Sequence, residues 1–389
     1  PTLKNNGLVA IRVDGSNLTG INSSNNNYGI YLDSSSSNIL TNNTVNNNTD
    51  TGIYLWSSSN NTLTNNTANN NYDGIYLDSS NSNILTNNTA NNNQYGIYLY
   101  SSSSNILTNN TANNNYYGIY FYSSSSNTLT NNTASNNSEI GIYLYSDSNN
   151  NTITNNIVKN NEYGGFYLDF ASNNTISNNT VSNNGYDAIY LNSGSGNTIT
   201  NNIVNNNEYN GFYLQSTSNN TISNNTVSNN GYDGIYLHSS SNNTITNNIV
   251  NNNSNFGISF SNSKNNTLIS NTILNSIEYD FYVDINSTDN IIHNTTLNNS
   301  IISFTGKGIS LKSSSPIGSI PSGYRSLGKY VNITNLSATG SWIFLNITYS
   351  DSDVVGMNES KLSIWRYDSS AWNNWTGVNG VNTSGKYVY

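Results

Sequence analysis

The residues best placed to do chemistry are carboxylates that follow a recurrent Gly-Ile-Tyr-Leu run. Aspartate holds that position at Asp33, Asp78, Asp169 and Asp284, while other copies place Trp56, Tyr100, Tyr122, Tyr145, Asn192, Gln215, His238 and Ser261 there. Two carboxylates flanking a glycosidic bond can cleave it, one as acid and the other as base or nucleophile. Asp33 and Asp78 would lie two repeats apart, about 9.6 Å at the spacing of stacked strands, a separation in the inverting range. No two acids occupy successive copies, and no cation flanks this pair. The spacing therefore predicts no catalytic residues, and the chain is expected not to be an enzyme. His238 and His293 fall on different strands and are expected at the surface. With no cysteine and one methionine, no metal site and no cofactor is expected, a copper-handling role included.

A second chemistry is carried by asparagine. Asn-x-Ser/Thr acceptors for N-glycosylation number on the order of thirty. Many recur in register, at Asn42, Asn65, Asn87, Asn109, Asn131, Asn178 and Asn224, and others at Asn60, Asn150, Asn173, Asn219, Asn242 and Asn265. Turns rich in Asn and Thr generate such triplets by composition alone, and an inward Asn cannot be modified, so a minority is expected to carry sugar. A third feature is a column of tyrosines, Tyr31, Tyr54, Tyr76, Tyr98, Tyr120, Tyr143, Tyr167, Tyr190, Tyr213 and Tyr236. Cross-strand stacking accounts for such a ladder by itself. An aromatic stripe of this length is nevertheless expected to be a contact surface, first for self-association and second for sugar.

The elements that position these residues follow from the repeat. Gly-Ile-Tyr-Leu or a close variant begins at Gly29, Gly52, Gly74, Gly96, Gly118, Gly141, Gly165, Ala188, Gly211, Gly234, Gly257 and Asp280, at intervals of 22 to 24 residues. Each unit reads as three short strands and three turns, with period-two alternation and no helical spacing. Ile30 and Leu32 alternate with Tyr31, Leu40 follows on the second strand, and Val45 on the third. Stacked units of this kind make a right-handed parallel β-helix of about twelve coils, its aliphatic residues in inward columns and its Asn pairs at turns. Residues 1–28 read as an N-terminal segment or first partial coil, 29–311 as the β-helix, 312–326 as a Ser/Pro/Gly linker, and 327–389 as a small antiparallel β-domain, sandwich-like and lacking a strand. Four of the five tryptophans, Trp342, Trp365, Trp372 and Trp375, lie in that last segment.

The unit Gly-Ile-Tyr-Leu-x-Ser-Ser-x-x-Asn-Thr-Ile-x-Asn-Asn resembles the parallel β-helix repeats of archaeal, methanogen-type cell-surface proteins, over roughly residues 7–311. The run Glu359-Ser-Lys-Leu-Ser-Ile-Trp-Arg-Tyr367 is similar to a β-domain near the C-termini of such proteins. The resemblance implies an extracellular, glycosylated protein at the cell surface.

Composition narrows the remaining classes. The net charge is −9, and Gly29 to Val283 holds two Lys and no Arg, so nucleic acid is excluded as a partner. No apolar stretch is long enough to span a membrane. The start at Pro1 reads as a processed form. The function expected is that of a structural glycoprotein of an archaeal envelope, a homopolymer in a surface layer, sheath or filament. The runner-up is an adhesin that grips carbohydrate through the tyrosines or the tail tryptophans.

Overall fold

The computed structural model describes residues 2–3, 7–337, 339–368, 371–375 and 378–389. The fold is a parallel β-solenoid of about thirteen turns, with a two-stranded antiparallel sheet near the C-terminal end. There is no α-helix among the described residues. Two compact units divide the chain, Pro1–Thr221 and Ile222–Tyr389.

In the first unit ten strands stack into one parallel sheet, from Leu8–Ile11 and Ile30–Asp33 to Ile189–Asn192 and Phe212–Gln215. Register is strict, with Ile30 opposite Ile53, then Ile75, and Tyr31 opposite Tyr54, then Tyr76. The strand Leu8–Ile11 pairs residue for residue with Ile30–Asp33, so a turn precedes the first Gly-Ile-Tyr-Leu copy and the twelve expected coils become thirteen. A second ladder runs through Ile39–Thr41, Thr62–Thr64 and Ile84–Thr86. The third side begins as single bridges at Thr44, Thr67, Thr89 and Thr111 and becomes a true strand from Thr133–Ser135 onward.

Ile53, Leu55, Leu63 and Ala68 of one turn are all fully buried, as are their counterparts in the turns that follow. Alternation of period two on each strand puts one residue in and the next out, which is why a core forms from so few aliphatics. Where the third column approaches the glycine column there is no room for a side chain. A Cβ on Gly96 would come within 2.5 Å of the Gly118 carbonyl and 2.6 Å of Asn115 Nδ2.

The turns are built by the asparagine pairs. The first of each pair, such as Asn65 (φ 55°) or Asn87 (φ 55°), adopts the left-handed backbone and is exposed. Asn tolerates that conformation better than most L-residues. The second turns inward and is buried. Asn66 Oδ1 accepts from the Asn43 backbone N–H (3.1 Å) and from Asn43 Nδ2 (2.9 Å), while Asn66 Nδ2 donates to Leu40 O and to Asn88 Oδ1 (both 2.9 Å). Parallel ladders run through Asn61, Asn83 and Asn105 and through Asn71, Asn93 and Asn115. A serine ladder (Ser58, Ser80, Ser102) does the same at the fourth corner. Backbone groups that a turn would leave without partners are thereby paired between turns, as burial demands.

In the second unit Ile235–His238, Phe256–Ser261 and Tyr279–Val283 continue this pattern in parallel. Pairing then reverses. Ile309–Ser313 runs antiparallel to Tyr279–Val283, and Val331–Asn335 antiparallel to Ile309–Ser313. Ile291–Leu297, Ser300–Lys307 and Trp342–Thr348 likewise pair antiparallel in succession. Trp365–Tyr367 and Trp372–Asn374 form the two-stranded sheet. A small core of Tyr349, Val354 and Val388 closes this part of the unit.

Candidate functional site

All thirteen acceptor asparagines singled out in the sequence are exposed and left-handed: Asn42, Asn60, Asn65, Asn87, Asn109, Asn131, Asn150, Asn173, Asn178, Asn219, Asn224, Asn242 and Asn265. Each is the outward member of its pair, and the inward neighbour belongs to a ladder. Two faces of one residue type are thus separated by a single step of backbone.

The tyrosine column is ordered by stacking. Tyr54 and Tyr76 lie with ring centroids 4.8 Å apart and 2° between planes, Tyr76 and Tyr98 at 4.7 Å and 8°. These spacings equal that of the strands beneath. The ring faces therefore cover one another, and edges and hydroxyls point out. The column is half-buried rather than open, and burial raises the pKa of Tyr31, Tyr76 and Tyr120 above the usual phenol value. The stack breaks between Tyr143 and Tyr167, whose rings meet edge-on at 6.4 Å, and Tyr167 is buried. Tyr190 and Tyr213 resume it, tilted at 43°. More exposed aromatic surface lies to either side, at Trp56, Tyr72, Tyr100, Tyr163 and Tyr186. Tyr236, in the second unit, has Ser259 and then Tyr282 beyond it in register.

The acids fall into two groups. Asp33 and Asp78 flank Trp56 in register, as expected, and each accepts from its neighbouring serine hydroxyl, Ser34 at 2.8 Å and Ser79 at 2.9 Å. Asp169 accepts from the Tyr143 hydroxyl at 2.8 Å. Asp73 and Asp233 are buried. Burial, reinforced by Asp50, pushes Asp73 up to about 7, and burial pushes Asp233 up to about 6 against three hydrogen bonds that oppose it.

One constellation was not singled out in the sequence. His238 and Ser261 are partners in register, and Asp284 takes the same position on the next turn, immediately after Val283 opposite Phe260. The Ser261 hydroxyl donates to Asp284 Oδ2 at 3.4 Å and also bonds the Tyr236 phenol oxygen. Tyr236 OH lies 3.3 Å from His238 Nδ1. Aspartate, serine, tyrosine and histidine thus form one half-buried chain of hydrogen bonds at the surface, a set able to take up and return a proton. The residue that follows Gly-Ile-Tyr-Leu in each copy, followed along the column rather than searched for acid pairs, was the signal for it.

Two family models match the chain. A model described as periplasmic copper-binding protein (NosD) matches residues 2–163. A model described as right handed beta helix region matches residues 107–239 and 187–321, together more than half of the chain. The chain belongs to the right-handed β-helix family. No curated protein matches this β-helix chain. Among solved structures it is similar to a variant of the periplasmic alginate epimerase AlgG, at 16% identity over 76% of each chain and a TM-score of 0.51. It is also similar to the Dettilon tailspike protein, at 16% identity over 100% of this chain and 81% of that one, with a TM-score of 0.50. At these identities the likeness is one of fold.

The expectation that this β-helix protein is not an enzyme is corrected by that comparison. Its fold is shared with a polysaccharide-modifying enzyme, so the fold gives no ground for excluding catalysis. The absence of an acid pair also loses its force, because His238, Tyr236 and Ser261 supply proton-transfer groups of other kinds. Copper is a different matter. Residues 2–163 contain no His, Cys or Met, so the imidazole and sulfur donors that favour copper are missing from the matched segment, and the donor set does not fit the metal. No helix among the described residues is long and apolar enough to cross a membrane.

Proposed function

We propose that the chain is an envelope glycoprotein outside the cytoplasm, a β-helix scaffold that carries N-glycans on its turns and associates with copies of itself along the tyrosine sheet. The observation that carries this reading is the segregation of asparagines: acceptor residues face out at turn after turn while their neighbours hold the structure. Added glycans would hydrate a surface in which only 8% of the sequence is charged. The name of the NosD family model, a periplasmic one, supports a location beyond the cytoplasmic membrane. Peptide mapping of native material by mass spectrometry tests the first part. Sugar on several of Asn42, Asn65, Asn87 and Asn109 is expected, and bare asparagines at all thirteen sites would overturn it. Electron microscopy at physiological salt tests the second, where ordered filaments or sheets are expected and dispersed single particles would refute assembly.

A second reading is favoured by the Tyr236–His238–Ser261–Asp284 chain. A proton-transfer set on the sheet face of a fold shared with an alginate epimerase would act on a polysaccharide that lies across the turns. Incubation with polyuronates, followed by NMR of polymer length and sugar configuration, would show a change that His238→Ala abolishes. Unchanged polymer, or full activity in His238→Ala, would remove this site from consideration.

A further inference from the structure

The second unit contains a cavity of about 190 Å³ lined by aromatic and basic residues. Tyr324, Tyr330, Trp365 and Trp372 supply its aromatic walls, and Arg325, Lys329 and Lys361 its polar rim. Charge is distributed very unevenly along the chain. Residues 312–389 hold six basic and four acidic residues, for a net of +2, whereas residues 1–311 hold five basic and sixteen acidic, for a net of −11. Half of those six cations line this one cavity.

The carboxylates nearby are already engaged. Asp351 and Glu359 hold Lys386 at 2.7 and 3.0 Å, and Asp353 holds Lys329 at 3.2 Å. Asp368 accepts from Asn373 at 2.8 Å. Among the described residues, Arg325 and Lys361 have no carboxylate partner. Among the described residues, the guanidinium of Arg325 reaches the Val355 carbonyl, at 3.4 Å.

The aromatic walls are fixed by their polar edges. Trp365 Nε1 donates to Ser363 Oγ and Trp372 Nε1 to the Ile317 carbonyl, both at 3.0 Å, and Tyr330 OH donates to Ser326 Oγ at 2.7 Å. Tyr324 packs edge-on against Trp365 with centroids 4.6 Å apart and is 62% exposed. Indole and phenol rings whose polar atoms are satisfied offer apolar faces to a ligand, and ones held in place lose little freedom on binding.

We propose that this cavity is a binding site for a carboxylated sugar unit, a uronate of an acidic polysaccharide, whose ring lies against Trp365 and Tyr324 and whose carboxylate meets Lys361 and Arg325. A pyranose presents an apolar C–H face that packs on an aromatic ring, and its hydroxyls leave room for water at the open side. Two cations without a carboxylate partner among the described residues select the charged sugar over the neutral one, and a charge-assisted contact is stronger than a neutral one. The cavity accommodates one ring, so recognition is of a single unit in the polymer.

Isothermal titration of the full chain with hexagalacturonate and with maltohexaose tests this. Binding of the acidic hexamer alone is expected. Lys361→Ala with Arg325→Ala should weaken it by about tenfold or more, the range for loss of charged hydrogen bonds. Both side chains are exposed, so the fold should be kept, and Lys264→Ala, outside this cavity, serves as the control for loss of a surface cation. Trp365→Phe, which keeps a ring, should weaken binding less than Trp365→Ala. Equal affinity for the two hexamers, equal losses in Lys264→Ala and the double variant, or no binding of hexagalacturonate would each overturn the assignment.

Discussion

The solenoid turns and the C-terminal part of the second unit reach stability by opposite routes. In a turn such as Thr51–Asn71 the core is four fully buried aliphatics, and the corners are held by amide ladders that pass from turn to turn. Around Tyr349, Val354 and Val388 the core is three residues, 3–6% exposed, and large side chains such as Phe344 (71%) and Val378 (82%) stay in solvent. A repeat can satisfy every polar group by translation, because the neighbour always presents the same partner. A segment without a repeat must find each partner separately, and here it uses ion pairs and indole N–H groups.

The largest test of this contrast is Asn88→Ala. Its side chain accepts from Asn66 N–H (3.0 Å) and Asn66 Nδ2 (2.9 Å) and donates to Leu63 O (2.9 Å) and Asn110 Oδ1 (3.0 Å). Truncation removes four buried hydrogen bonds, for an expected loss of about 3–4 kcal/mol in chemical denaturation. Asn87→Ala, one residue away, removes only the residue's tolerance of the left-handed backbone, about 1 kcal/mol. Similar losses in both would mean that the ladder does not carry the turns.

Titration should separate the regions by sign. Burial, reinforced by Asp50, raises the pKa of Asp73 to about 7, and Oδ1 has no hydrogen-bond partner among the described residues. Its folded pKa exceeds the unfolded one, so the unfolded chain binds fewer protons between about pH 4 and 7, and stability falls as pH rises through that window. Asp353 behaves oppositely. The Ser350 N–H, the Ser350 hydroxyl and Lys329 hold its pKa down, so its contribution is present above the ordinary carboxylate pKa and lost on acidification. Asp73→Asn should flatten the rise in solenoid stability from pH 7 to pH 4, an effect of about 2–3 kcal/mol. Asp353→Asn should remove acid sensitivity only from signals of the C-terminal tryptophans. A slope unchanged by Asp73→Asn would show that the carboxyl is ionised in the fold.

The periodic features were legible in the sequence because a parallel stack converts period into position. Ile30, Ile53 and Ile75 had to share a column once their interval was 22–23 residues. The turn at Leu8–Ile11 was harder to count, because Leu-Val-Ala-Ile there lacks the Gly-Ile-Tyr-Leu signature and Val9 and Ile11 are exposed. Which asparagine of a pair faces inward depends on a backbone φ that identical residue types do not encode. The Tyr236–His238–Ser261–Asp284 chain spans three turns and four residue types, so a search for paired acids passed over it. Antiparallel pairing was expected only from residue 327; that it begins with Ser300–Lys307 and Ile309–Ser313 was invisible, since strand propensity does not fix direction.

A smaller effect is expected where the core itself is small. Val388 is 5% exposed and pairs with Ile347 and Val381 on two strands. Val388→Ala should lower the stability read from the C-terminal transition by about 1–2 kcal/mol, while Ile97→Ala, fully buried in the solenoid, should cost about 3 kcal/mol or more. Tryptophan fluorescence reports chiefly the former, because four of the five tryptophans lie after residue 340, and circular dichroism chiefly the latter. Equal losses would mean that the two parts unfold as one cooperative body.

The smallest change in stability is expected at the tyrosine column, and it bears most directly on assembly. Tyr76 stacks on Tyr54 and Tyr98, but in the second unit Ser259 holds the equivalent position and the strand persists. Stacking is therefore an increment on a sheet that stands without it. Tyr76→Phe keeps the ring and should change stability by less than about 0.5 kcal/mol, while Tyr76→Ser should cost about 1 kcal/mol, within the range for cross-strand aromatic pairs. If the column is also where copies meet, the serine variant should lose assembly in light scattering out of proportion to its small loss of stability, and the phenylalanine variant should retain it. Assembly that survives Tyr76→Ser together with Tyr98→Ser would confine the column to an internal role and move any contact to the open aromatics at Trp56, Tyr72 and Tyr100.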